Sequence, residues 1–206
     1  PLIAFLDVDD IWMPNKLKSQ VRHLAEGGFD LTFTGFRTIS KSFRVSRTLL
    51  PANYKCPVTA KALARRYSVA MSSVLVSKRA LQEAGGFDAN YEVIGDFDLA
   101  LRLAQSGNVC FLKEDLAIIR LHDQSTGHLS RNLQLQELET WKLSRSSFFS
   151  DFESILRYVN QEISVISYVA YSGVDLQQFF RSLRASGTFA RRLSVVRTFL
   201  RRILAV

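Results

Sequence analysis

Asp7, Asp9 and Asp10 stand together at the end of an apolar run, Leu2-Ile3-Ala4-Phe5-Leu6. An apolar run of that length reads as a buried strand, and the carboxyl end of a strand in an open α/β sheet is where ligands bind. Carboxylates this close repel one another unless a cation sits between them, and an oxygen-only set suits Mg²⁺ or Mn²⁺. Without a cation, the same residues read as a strand-to-helix turn with Asp10 capping the next helix. A second pair, Asp96 and Asp98, falls in the first turn of the helix-type segment 95–106. A carboxylate there can act as a general base, but unpaired N–H groups and the helix dipole also favour acids at that position. Spacing alone makes capping the better reading of both. Arg120 and His122 end a third apolar segment. A guanidinium suits anionic oxygens, and an imidazole can ligate a metal, although an isolated histidine at a strand end is more often structural. Trp12 comes just after the acidic turn, and an aromatic after a turn is more often core.

These residues need elements to hold them. Pro14 sits well in a first helical turn, with Leu17, Val21 and Leu24 at helical spacing up to Gly27-Gly28. Residues 29–36 alternate like a strand ending at Gly35, and residues 37–57, basic and holding Pro51 and Pro57, read as a long loop or loose hairpin. Thr59 can cap a short helix, residues 70–76 read as a buried strand, and residues 78–84 as a helix closed by Gly85-Gly86. After the 95–106 segment, residues 109–112 and 116–121 are two further strand candidates. From His128 the pattern becomes helical, over residues 129–149, 151–171, 175–186 and 188–204.

The composition is that of an ordinary globular protein, with 47% hydrophobic and 22% charged residues. Its net charge of +8 lies mostly in the tail, where seven arginines and no acid come after Asp175. A nearly neutral body argues against a nucleic-acid binder. In the tail, Phe189, Leu193, Val196, Leu200 and Ile203 fall on one helical face and the arginines mostly elsewhere. Such a helix can lie on an anionic membrane or simply cover the domain. The two cysteines, Cys56 and Cys110, have no metal-type spacing, which speaks against a disulfide framework and for a reducing compartment. Neither a membrane-length apolar run nor a signal peptide is visible.

Two families begin from such an acidic stretch. The haloacid-dehalogenase-type phosphatases carry an apolar strand with Asp-x-Asp, which Asp7-Val8-Asp9 resembles; that implies an aspartyl-phosphate. They also carry a Gly-Asp-x-x-x-Asp, and Gly95-Asp96 is followed at the required position by Ala100. The second resemblance covers about residues 2–126. Asp7-Val8-Asp9-Asp10-Ile11-Trp12-Met13-Pro14-Asn15-Lys16-Leu17 resembles the Leu-Asp-x-Asp-Asp-x-Trp-x-Pro-x-Lys-Leu stretch of family 2 glycosyltransferases of GT-A fold. Met71-Ser72-Ser73-Val74-Leu75-Val76, Gly85-Gly86-Phe87-Asp88, Gly95-Asp96-Phe97-Asp98-Leu99-Ala100-Leu101-Arg102-Leu103 and Arg120-Leu121-His122 with Ser125 come in that family's order.

That resemblance implies a mixed α/β fold: a GT-A-type, Rossmann-like sheet with flanking helices, truncated at its N-terminus and followed by a helical region. Residues 1–127 would be the C-terminal portion of the catalytic domain, without its nucleotide-binding half, and 128–206 a helical region with a basic amphipathic end. It implies an inverting transfer from a nucleotide-diphosphate sugar to a saccharide or lipid-linked hydroxyl, with Mn²⁺ or Mg²⁺ bridging the departing diphosphate. Asp9 would ligate the metal directly, Asp7 would contact the ribose or a metal-bound water, and Asp10 would orient the loop. Asp96 would be the base, while Arg120, His122 and Trp12 would meet the substrate. Cysteine usage and the lack of a visible signal peptide point to the cytoplasm, and the basic tail, residues 176–206, to contact with the inner membrane face; the resemblance leaves residues 1–206 alone without activity. A phosphohydrolase, or a non-catalytic protein docking on a membrane or polyanion through its tail, are the alternatives.

Overall fold

A computed structural model of the chain describes residues 1–39, 45–46, 54–65, 67–120 and 131–172. The apolar and alternating segments assemble one mixed sheet from β1 (Leu2–Ala4), β2 (Ile11–Trp12), β3 (Leu31–Ile39), β4 (Val45–Ser46), β5 (Val74–Ser77) and β6 (Val109–Arg120). Its order is β1-β5-β3-β6-β2, with β4 added to β3. The parallel pair β3 and β6 forms the centre, and every other pairing is antiparallel. The mixed α/β sheet with flanking helices expected from the sequence is the observed architecture.

Alternation divides the sheet into two faces. Leu31, Phe33, Val74 and Val76 join the main core with Leu63, Leu99 and Leu103 from α2 (Ala60–Arg65) and α4 (Gly95–Ser106). Leu138 and Trp141 of α5 (Arg131–Ser144), and Ile155 and Val159 of α6 (Phe152–Ser172), belong to the same cluster. Thr32 points the other way, towards α1 (Lys16–Gly27), where its hydroxyl meets His23. Among the described residues, no helix is long and apolar enough to cross a membrane.

Several sequence expectations change here. The strand through residues 29–36 does not stop at Gly35. It runs on to Ile39, because the register shifts on both sides of Gly35 absorb the irregularity as a bulge. Opposite that bulge, Lys113 and Glu114 are accommodated, so the two strand candidates at 109–112 and 116–121 are one strand. Of the long loop or loose hairpin expected over 37–57, the described residues show a hairpin, Thr38 facing Ser46. The stretch 70–76 is half a strand, since Met71–Ser73 forms a 3₁₀ turn before β5.

The helical stripe of α1 is turned round. Leu17 and Val21 are 42% and 44% exposed, Leu24 alone of the three is buried, and Lys16 and Gln20 are fully covered. The cause is the backbone beneath: the Gln20 amide donates to Thr32 O and Ser73 O at 3.2 and 3.0 Å, and Lys16 Nζ to Val74 O at 3.4 Å. These carbonyls face α1 and accept its buried donors, and a buried donor without an acceptor costs more than two half-exposed aliphatics would gain by burial.

The cysteine reading is also corrected. Cys56 and Cys110, 54 residues apart, are joined in a disulfide. Residues 54–58 run beside the start of β6, with Val58 N donating to Val109 O at 2.7 Å and Tyr54 packing on Phe33 and Phe111. Linear spacing cannot register that approach, so the reducing compartment inferred from unpaired cysteines loses its ground.

Candidate functional site

The backbone turns sharply after β1, with Asp10 N donating to Asp7 O at 3.0 Å and Val8 fully exposed at the tip. Ser72, in the 3₁₀ turn before β5, organises this turn. Its hydroxyl accepts from Asp7 N at 3.2 Å and donates to Asp10 Oδ2 at 2.6 Å, and its carbonyl accepts from Trp12 Nε1 at 2.8 Å. Arg120 N, at the end of β6, donates to Asp10 Oδ1 at 3.1 Å. Asp10 thus ties the acidic turn to two other elements of the sheet. Sequence reasoning assigned Ser72 no role, although a hydroxyl inside a buried apolar run must find partners.

The turn is electrostatically loaded. Burial, and then the Asp9 charge, push the Asp7 carboxyl above the usual range. Asp10 is raised by burial as well; the Ser72 hydroxyl and Arg120 N–H offset this in part, and the charges of Asp7 and Asp9 add to it. Such a site gains when a cation arrives. Among the described residues, no group of three His, Cys, Asp or Glu side chains is disposed to hold a metal. Mg²⁺ and Mn²⁺ sites that use one or two carboxylates, with phosphate oxygens and waters completing the shell, match the donors of Asp7 and Asp9.

Asp96 lies at the start of α4, where its Oδ1 accepts from Phe97 N at 2.6 Å. That start is linked through rings to the segment after β1: Phe87 meets Phe5 edge-on at 5.6 Å, and a side chain at Gly95 would begin 3.8 Å from Phe87. Two buried carboxylates hold α4 there. Glu137 of α5 accepts from Glu92 N, Val93 N and Ile94 N at 2.8, 2.9 and 2.9 Å, in the loop just before Gly95. Asp98, wholly buried, accepts from Arg102, Arg145 and Trp141 Nε1, while Arg102 also reaches the carbonyls of Ala84 and Gly86. The sequence reading of Asp98 as structural agrees with this arrangement; Glu137 carried no signal beyond its apolar neighbours. Trp12 packs with Phe36, Ala70 and Ala117 in a small second cluster. His122 lies outside the described residues.

Lys16 is sealed beneath the turn, its ammonium 4.4 Å from the centre of the Trp12 ring. Burial lowers its pKa from 10.5 to about 8. The folded chain then releases this proton at lower pH than the unfolded chain, so stability rises with pH between those values. The gain should be about 3 kcal/mol by pH 10.5. Urea unfolding at pH 7, 8.5 and 10 should show that slope in the wild type and a flatter one in Lys16→Met. Equal slopes would exclude Lys16 as its source.

The fold matches solved glycosyltransferase structures. The crystal structure of S. aureus TarS residues 1–349 in complex with UDP-GlcNAc gives a TM-score of 0.60 at 11% identity, over 86% of this chain and 53% of that one. The complex of the same protein with UDP gives 0.56 at 14% identity, over 86% and 52%. The chain therefore spans about half the length of these structures. At such identities the shared property is the fold. No protein-family model and no curated protein matches the sequence.

Proposed function

We propose that this chain is the metal-binding and acceptor-side part of an inverting, divalent-metal-dependent glycosyltransferase. It would move a sugar from a nucleotide-diphosphate donor to an acceptor hydroxyl in the making of a cell-surface polysaccharide or glycolipid. The observation that carries this reading is the acidic turn: carboxylates raised by burial and mutual repulsion, locked by Ser72 and Arg120 N, at a strand end of a fold shared with structures holding UDP-GlcNAc and UDP. Asp9 and Asp7 are proposed to hold Mn²⁺ or Mg²⁺, with Asp10 fixing the turn. The ion supplies positive charge to a departing diphosphate.

Asp96 is assigned the base role. Its carboxylate takes the acceptor proton as the hydroxyl attacks the anomeric carbon from the face opposite the leaving group, and a single displacement of that kind inverts the centre. Arg120 and His122 are assigned to the donor phosphates, and Trp12 to holding the turn from beneath. The division at residue 127, and contact of residues 176–206 with an anionic membrane surface, belong to the same proposal. The phosphohydrolase reading fails at Ala100, which cannot serve as the second metal-binding acid.

Isothermal titration of Mn²⁺ in the presence and absence of UDP tests the assignment. Nucleotide-dependent Mn²⁺ binding is expected, weakened at least tenfold in Asp9→Asn and weakening as pH falls through the raised carboxylates, because the ion must displace their protons. Equal affinity in wild type and Asp9→Asn would sink the reading.

A further inference from the structure

We propose that the Cys56–Cys110 disulfide is a thiol–disulfide exchange site, opened by a dithiol reductant through attack at Cys56 with Cys110 as the leaving sulfur. The two ends of the bond differ sharply. Cys56 is exposed on the strap of residues 54–58, whereas Cys110 is 3% exposed within β6. Accessibility together with leaving-group stability decides which sulfur a thiolate attacks, and both favour the exposed residue, Cys56. Behind Cys110 stands His23 of α1, its Nε2 3.7 Å from the Cys110 sulfur and its Nδ1 3.2 Å from Thr32 Oγ1. One neutral tautomer satisfies both contacts: Nε2–H donates towards sulfur while Nδ1 accepts from the threonine hydroxyl. An N–H aimed at the buried sulfur favours the thiolate that forms there.

The exchange balances. A reductant thiolate bonds to Cys56 Sγ, the Cys56–Cys110 bond breaks, and its electron pair passes to Cys110 Sγ. That thiolate is held by His23 Nε2–H and then protonated from solvent. The reductant's second thiolate attacks its own sulfur in the mixed disulfide and releases Cys56. Overall, protein disulfide and dithiol become protein dithiol and an oxidised reductant, with two electrons and two protons transferred. Once the bond opens, residues 54–58 lose their covalent tie to β6 and rest on the Tyr54 ring contacts and the Val58 N–H to Val109 O bond, which then open more readily.

The test uses the full 206-residue chain, purified without reductant. Excess reduced glutathione followed by acid quench and peptide mass mapping should place the mixed disulfide on Cys56 and leave Cys110 as a free thiol. Glutathione on Cys110 instead would overturn the assignment, as would two alkylatable thiols in the never-reduced protein. With dithiothreitol at pH 7, His23→Leu should open at least threefold more slowly than wild type; an unchanged rate would remove His23 from the proposal. After reduction, amide hydrogen exchange at Val58 should quicken while that at Val76 stays unchanged. No change at Val58 would overturn the release of the strap.

Discussion

Asp98→Ala is expected to destabilise the folded chain by about 4 kcal/mol, because removing one member of a buried ion network leaves the others charged and uncompensated. Asp98 receives Arg102 Nη2 at 2.7 Å and Arg145 Nε at 2.8 Å, together with Trp141 Nε1 at 2.9 Å. The substitution takes the carboxylate from two guanidiniums and an indole N–H at once, leaving Arg145 with Asp88 and the buried Arg102 with the neutral carbonyls of Ala84 and Gly86. Asp98→Asn keeps the shape and one acceptor oxygen, so it should lose clearly less. Urea unfolding followed by tryptophan fluorescence measures both. A loss below about 1 kcal/mol for Asp98→Ala would show that solvent reaches the arginines and that the network does not hold α4.

Glu137→Ala should cost about 3 to 5 kcal/mol, and its signature should be local. Three N–H groups lose a charged acceptor together, each such bond contributing about 1.5–3 kcal/mol. Water can replace part of that at Glu92, which is exposed, but not at the buried Ile94. Glu137→Gln, which keeps one carbonyl oxygen, should recover about half. Amide hydrogen exchange should accelerate at residues 92–94 well before it does in β3. If exchange instead rises uniformly, Glu137 contributes only to global stability and the loop before Asp96 is held by other contacts.

Both carboxylates show what a linear reading can and cannot reach. The acidic turn was legible because its parts are adjacent: an apolar strand, three aspartates, then Trp12, Pro14 and Lys16. The start of α4 was legible for the same reason, since Asp96 and Asp98 share one helical turn. Ser72 and Glu137 were not, because their partners lie 62–65 and 43–45 residues away and nothing in their own neighbourhoods marks the meeting. The disulfide was hidden by the same kind of distance. The α1 stripe misled for another reason: hydrophobic spacing assumes an apolar floor, whereas the floor under α1 offers the carbonyls of Thr32, Ser73 and Val74. Gly35 misled because a bulge and a strand end look alike in sequence.

The central parallel pair has a consequence for how the chain is made. Leu31 faces Val109 and Ile39 faces Arg120, so the two middle strands are separated by roughly 80 residues of sequence. On a ribosome adding about 5–20 residues per second, β3 waits on the order of ten seconds for its partner. During that interval the edge of β3 that β6 will cover is open to other chains, because β4 and β5 pair with the opposite edge. Expression at low temperature, where chains are less prone to associate before β6 arrives, is therefore expected to raise the yield of folded protein.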